Sequence, residues 1–442
     1  MIFSLRQLLR WLLRINRPVP SRTYHEMVAD VLAHYRWNFM ANLLDGASFW
    51  FGLSFISSST IVPLFISKLS NSPFPIGLAA VIAQGAWFFP QLFTANFVER
   101  LPWKKPVVVN LGLFLERLPL WVIVGAALMA GRSPSWALFW FLFGYAWHGL
   151  GAGVVATAWQ DLYAASIPVE RRGILLGLTT FIGTGMGTLG AGLSGWILTY
   201  FAFPLNFVYT FMIAAIGITL SWVFLALIYE PAQVSPTSRP EQLHFGRELG
   251  EILTRDHNFR RFLVARLLLA IGGMGSGFIT VAAVQVRHVS DGTVANYTAA
   301  MLIGQTIGNL LFGILADRRG HKLSVELGGL AAVIAYGLAW LAPSPSWYYV
   351  VFGLQGVTLG AIITSGILVV MEFSPADRRP TYTGLTNTLL GLTGGGAPLL
   401  GVWLAGFGYQ WLFALSAIFC LASFLLMHGW VKEPRWFNGD NK

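Results

Sequence analysis

Twelve runs of mostly apolar residues follow one another along this chain, and each is long enough to cross a bilayer as a helix. A crossing takes about 20 such residues. The expected spans are 38–67, 75–95, 106–130, 136–165, 173–200 and 205–229, then 260–284, 293–315, 323–342, 346–373, 381–407 and 410–431. Short stretches rich in Pro, Gly, Arg and Lys separate them. Barrel strands would instead alternate apolar and polar residues over about ten positions. Charged residues make up only 11% of the chain, against about 25% in soluble proteins, too few to cover a water-facing surface. The expected fold is an all-α integral membrane protein.

The Lys and Arg residues fix an orientation, because positive charge near helix ends is retained on the cytoplasmic side. Outside the spans, only Lys68, Arg132 and Arg287 fall on the side opposite the termini, while Arg117 and Arg266 lie within spans. Both termini are therefore expected to be cytoplasmic, with a bacterial inner membrane as the default location. The same asymmetry accounts for the net charge of +10 without a nucleic-acid partner. Cys420 is the single cysteine, so no intrachain disulfide is expected. Arg6, Arg10 and Arg14 recur between Leu8, Leu9, Trp11, Leu12, Leu13 and Ile15, the pattern of a basic amphipathic helix on the membrane surface. The expected organisation is a cytoplasmic amphipathic segment at 1–37, six-helix bundles at 38–229 and 260–431, a linker at 230–259 and a tail at 432–442.

The two bundles read as copies. At an offset of 207 residues, Pro168, Glu170, Arg171 and Arg172 recur as Pro375, Asp377, Arg378 and Arg379. Gly177, Leu178, Thr179 and Trp196 recur as Gly384, Leu385, Thr386 and Trp403, while His148 and Gly149 fall on Gln355 and Gly356. Parallel six-helix repeats are a transporter architecture.

The run from Gly313 to Lys322, GILADRRGHK, resembles the signature loop of the major facilitator superfamily. Gly313, Asp317, Arg318, Gly320 and Lys322 match, with His321 in a position that is usually basic. The first-half counterpart, Ala95 to Lys105, is degenerate: Glu99 stands for the Asp and Pro102 for the second Gly, while Arg100, Lys104 and Lys105 keep the charge. The resemblance implies two pseudo-symmetric six-helix bundles. It also implies a cytoplasmic gate in which Asp317 faces Arg171 and Arg172 and Glu99 faces Arg378 and Arg379, since carboxylates are drawn to helix N-termini and arginines. Asp161 and Glu372, at the cytoplasmic ends of spans 4 and 10, are expected to join it by pairing with Arg100, Arg318 or the loop arginines.

Ionisable groups inside a bilayer are costly and mark sites. Asp45 in span 1 has no basic neighbour in sequence and is the leading candidate for a proton or substrate contact, with Asn42 beside it. In the superfamily, spans 1, 4, 7 and 10 line the central cavity, which adds His148, Gln355 and Arg266. Arg266 is expected to meet Asp45 or an anionic substrate, or to reach for the membrane surface. Glu116 and Arg117 are adjacent in span 3. Neighbours on an α-helix point about 100° apart, so each is expected to have its own structural partner. Gln305 and Asn309 share a face of span 8 and are expected to bond across helices.

These features point to a secondary active transporter working by alternating access, possible proton coupling included, with efflux of a hydrophobic compound slightly ahead of uptake of a sugar, amino acid or metabolite. No Walker-type loop or zinc-binding HExxH motif is present, which argues against ATP-driven pumping and metalloenzyme chemistry. No cofactor or metal is expected. The partners expected are a small solute, protons and lipid, around a monomer. A transport-inactive scaffold or sensor is the alternative of a different class.

Overall fold

The computed structural model describes residues 5–15, 20, 23–99, 101–231, 250, 252–366, 368–374 and 379–437. Among these every regular element is helical. Ten helices are long and apolar enough to cross a membrane, as lipid demands of a backbone that must satisfy its own hydrogen bonds. The chain is an all-helical membrane protein. Most of the linker, the loop at 375–378 and the end of the tail lie outside the described residues.

The chain packs as two compact units. Unit 1 comprises Met1–Ile56, Ala86–Gly190 and Tyr200–Arg239, and unit 2 Ser57–Gly85, Ala191–Thr199 and Pro240–Lys442. The elements of unit 1 are α1 (Leu5–Leu12), α2 (Tyr24–Ser54), α5 (Gln91–Glu99), α6 (Leu118–Met129), α7 (Pro134–Ser166), most of α8 (Val169–Tyr200) and α9 (Leu205–Leu227). Helix α2 begins well before the expected span, because Thr23 and Glu26 form a capping box that starts it at Tyr24, the reciprocal side-chain cap of a helix N-terminus. The N-terminal segment is partly built into the protein: Leu13 is buried against Ala41, Val98, Val108 and Leu225, and Asn110 donates to the Leu12 carbonyl.

Unit 2 contains α3 (Ile61–Leu69), most of α4 (Phe74–Phe88), the end of α8, and α10 (His257–Gly272), α11 (Ser276–Arg287), α12 (Asp291–Arg319) and α13 (His321–Leu341). It is completed by α14 (Trp347–Ser365), α15 (Leu368–Phe373), α16 (Arg379–Ala405), α17 (Tyr409–Trp430) and α18 (Pro434–Phe437). Here α3 is tied to the second-half helices: Lys68 pairs with Asp291 at 2.7 Å and the Thr60 and Thr298 hydroxyls meet at 2.6 Å. Thr280 donates to the Ser59 carbonyl at 2.7 Å.

Several expected spans are interrupted. Span 1 breaks between α2 and α3 at Phe55–Thr60. Span 2 breaks at Pro90, which cannot donate within a helix. Span 7 passes through a 3₁₀ turn at Gly273–Gly275, and span 10 breaks after Ser365.

With lipid tails as apolar as the side chains, helix association rests on close packing. Gly356 on α14 shows how close: a Cβ there would lie 1.8 Å from the Met301 carbonyl oxygen of α12. Gly356→Val is therefore expected to cost about 1–3 kcal/mol through overpacking, read as a lowered melting midpoint of the purified protein in detergent. A midpoint equal to wild type would refute this contact.

Candidate functional site

Span 3 opens with two π-helical segments, Val107–Leu111 and Leu113–Arg117. Their i→i+5 hydrogen bonds widen the turn, a distortion frequent at functional sites. The widened turn brings Glu116 and Arg117 together, so the two pair directly, contrary to the expectation of separate partners drawn from regular α-helical spacing. Both are deeply buried, at 5% and 2% exposure. Helix α7 can lie against this segment because Gly151 has no side chain: a Cβ would sit 1.8 Å from the Leu115 carbonyl oxygen.

Around this pair unit 1 collects its other polar groups. His148 is buried, with Nδ1 2.7 Å from the Glu116 carbonyl. A carbonyl only accepts, so Nδ1 carries the proton and Nε2 is left to take or give one. Asp45, 6% exposed, accepts from the Ser221 hydroxyl at 2.6 Å. Arg117, Glu116 and Trp159 are its further electrostatic neighbours. Asn42 is also buried, but its amide donates to the Asn38 carbonyl one turn back at 2.7 Å. Asp45 and His148, named from sequence, thus belong with Glu116, Arg117, Ser221 and Trp159, which sequence reasoning did not assign to a site.

Two candidates lie in unit 2. Tyr336 hydrogen-bonds the side chain of Gln355, whose Nε2 is buried without a partner. Arg266 is 6% exposed, and no guanidinium nitrogen bonds a described residue, Nε being sealed off entirely. It is packed inside protein and does not extend along the surface. Of the span 8 pair, Asn309 accepts from Thr364 at 3.3 Å, whereas the buried amide of Gln305 finds no partner, although the Gln305 backbone lies against Gly356 and Gly360 of α14.

The signature loop is held by the C-terminal segment, which the sequence reading left out. Arg435 binds Glu372 at 2.7 Å and donates to the Ala316 and Asp317 carbonyls at 3.2 and 3.1 Å. Glu372 therefore has among its partners Arg435, a residue outside the expected set of Arg100, Arg318 and the loop arginines. The Glu433 carboxylate packs against Gly320, which sits at φ +92°. Gly320 takes this left-handed conformation at no steric cost. His321 contacts Ser365 at 3.1 Å, and Lys322 pairs with Glu326 at 2.6 Å. Asp317, Arg318 and Arg171 are exposed, while Arg172 donates to the Ile167 carbonyl at 3.0 Å and to that of Ala164. Gly313 lies within α12. Asp161 has an interaction partner. Arg100 and Arg378 lie outside the described residues, as do the side chains of Glu99 and Arg379.

In unit 1 the equivalent acid is Glu230. Its oxygens accept the backbone N–H groups of Lys104 and Lys105 at 2.6 and 3.0 Å. The dipeptides Glu230-Pro231 and Glu433-Pro434 directly follow spans 6 and 12, a repeat that could have flagged both. Burial raises the Glu230 carboxyl above its ordinary range. Burial, helped by the nearby Glu372 carboxylate, pushes Glu433 up to about 7.

Residues 262–438 match the sequence profile of the Major Facilitator Superfamily. An inner membrane metabolite transport protein of Escherichia coli, YdjE, is 31% identical over 34% of this chain and 33% of its own. A metabolite transport protein of Bacillus subtilis, YyaJ, is 31% identical over 33% and 32%. The match thus spans about a third of the length of these relatives. An MFS-type transporter of Methanocaldococcus jannaschii is 22% identical over 87% of this chain and 93% of its own. Among solved structures, a bacterial homologue of the lysosomal transporter Spinster, inward-facing, is similar with TM-score 0.63 and 15% identity over 89% of this chain and 97% of its own. A D-xylose–proton symporter gives TM-score 0.63 and 14% identity over 91% and 99%. These likenesses show the fold.

Two outcomes follow from the geometry. Glu116→Gln strands a buried Arg117 and is expected to cost about 3–5 kcal/mol, with Glu116→Gln/Arg117→Met recovering much of it. Denaturation of the three proteins would show this, and equal losses in single and double variants would contradict it. For Glu433, whose carboxyl is raised in the folded protein, the neutral form is favoured by folding. Its contribution is present below the ordinary Glu range and lost as pH rises through about 7. Glu433→Gln is expected to flatten that decline in melting midpoint, and an unchanged slope would contradict the assignment.

Proposed function

We propose that this chain, whose residues 262–438 match the Major Facilitator Superfamily profile, is a secondary transporter of that superfamily moving a small polar organic solute by alternating access, coupled to protons through Asp45. The observation that carries the coupling is a buried carboxylate on a membrane helix, held by the neutral Ser221 hydroxyl and close to the Glu116–Arg117 pair, whose Glu116 carbonyl also holds His148. An intramembrane ionisable residue arranged this way is suited to a proton relay. Glu116 is instead paired with Arg117.

A hydrophobic solute would suit an interior with few charges. Buried Asp45, Glu116, Arg117, His148 and Arg266 favour a polar or charged solute, and YdjE and YyaJ are named metabolite transport proteins. A relative of Bacillus subtilis is named a multidrug resistance protein, which leaves drug efflux as the second reading. The six-plus-six division at 230–259, the cytoplasmic termini, the inner-membrane location and the gate between Asp317 and Arg171 and Arg172 belong to the same proposal. The bonds Lys68–Asp291 and Thr60–Thr298 would have to part when the side of the membrane bearing them opens.

Proteoliposomes containing the purified protein and an internal pH indicator test the coupling when sugars, amino acids, carboxylic acids and lipophilic cations are added in turn. The proposal expects solute-dependent proton movement in the wild type that Asp45→Asn abolishes. Solute movement without protons, unchanged by Asp45→Asn, would leave a facilitator and remove Asp45 from the mechanism.

A further inference from the structure

Arg266 is the one candidate in unit 2 whose charge the described residues leave unanswered. A guanidinium stays protonated in any protein environment and carries five donors in a planar fork. In Arg266 none of them is used by a described residue. Its Nε is sealed from solvent without a partner, while the terminal nitrogens, equally unbonded, are not among the sealed atoms. The fork is therefore the part of this side chain that is not sealed off.

The carboxylates described in the same unit are committed elsewhere. Asp256 caps α10 through the Phe259 N–H at 2.9 Å and accepts from the Tyr382 hydroxyl at 3.1 Å. Asp291 is held by Lys68, Glu326 by Lys322 and His428, and Glu372 by Arg435. Glu433 lies on Gly320, and Asp317 is exposed at the end of α12. Next to the fork stands Gly366, at the break between α14 and α15: a Cβ there would lie 3.5 Å from a terminal nitrogen of Arg266. The absence of a side chain at 366 keeps that edge of the guanidinium uncovered.

We propose that Arg266 is the anchor for a solute carrying a carboxylate or a similar oxyanion, which the guanidinium fork binds through two parallel N–H···O bonds and so supplies the missing counter-charge. Such bidentate pairing is the arrangement for which Arg is suited and Lys is not. The inference rests on the transporter reading and gives its solute a chemical class: a small organic acid.

The test compares acids with their uncharged amides, so that shape is held and charge removed. The melting midpoint of the purified full chain in detergent is measured with succinate, benzoate and inorganic phosphate, and with succinamide and benzamide. At least one of the anions is expected to raise the midpoint by a few degrees, since a ligand that binds only the folded state stabilises it, and the amides are expected to leave it unchanged. Arg266→Gln is expected to lose that shift and Arg266→Lys to keep a fraction of it. Without ligand, Arg266→Gln is expected to melt no lower than wild type, because no protein partner is lost.

The assignment is overturned if the amides stabilise as well as the acids or if none of the anions gives a shift. It also falls if Arg266→Gln keeps the shift, if Arg266→Gln alone melts far below wild type, or if only phosphatidylglycerol stabilises the protein. Exchange of radiolabelled solutes in proteoliposomes separates this from the transport reading. Exchange of a neutral or cationic solute at wild-type rate in Arg266→Gln would sink the anion site and leave transport standing. Stabilisation by an acid that never crosses the bilayer would keep the site and sink transport.

Discussion

A charge placed inside a bilayer must be paired, neutralised or used, and much of this protein's interior is arranged around that demand. Removing one partner of a buried pair leaves the other uncompensated, at a cost of several kcal/mol. Unit 1 meets the demand locally. Its π-helical turns turn Glu116 and Arg117 toward each other, and Asp45 is given a hydroxyl as its hydrogen-bond partner. The result is a group of ionisable side chains in which one acid is paired with an arginine and the other bonds a hydroxyl.

Packing makes that arrangement possible. Where α7 meets the π-helical segment, and again where α12 meets α14, glycines let backbones approach to distances that any side chain would forbid. Helices brought this close hold buried polar groups in fixed positions, and the interruptions at Pro90, Gly273–Gly275 and Gly366 divide the spans into shorter rigid pieces. At the helix ends, Glu230 and the pair Glu433 and Arg435 fasten the loops that follow spans 2 and 8. Each of these contacts lies within one compact unit.

The membrane fold was legible because hydropathy and the placement of Lys and Arg both obey the bilayer. Asp45 and His148 were legible for the same reason: a polar residue in an apolar run stands out. The pairing of Glu116 with Arg117 was not, since nothing in the sequence announces a π-helix and regular α-helical geometry sets adjacent residues apart. Ser221 and Trp159 look like ordinary membrane-helix residues until the fold brings them to Asp45. In sequence Glu433 and Arg435 read as part of a polar tail, yet the fold packs them onto Gly320 and Glu372. The recurrence of Glu230-Pro231 as Glu433-Pro434 was a signal in plain sight.

The central claim is that Asp45 is the carboxyl that exchanges protons while Glu116 is held by its arginine. Labelling with a lipophilic carbodiimide, which attacks protonated carboxyl groups within membranes, distinguishes the two when the modified residue is located by mass spectrometry. The account predicts modification of Asp45 that declines as pH is raised, with Glu116 unmodified throughout. Modification of Glu116 with Asp45 untouched would contradict it.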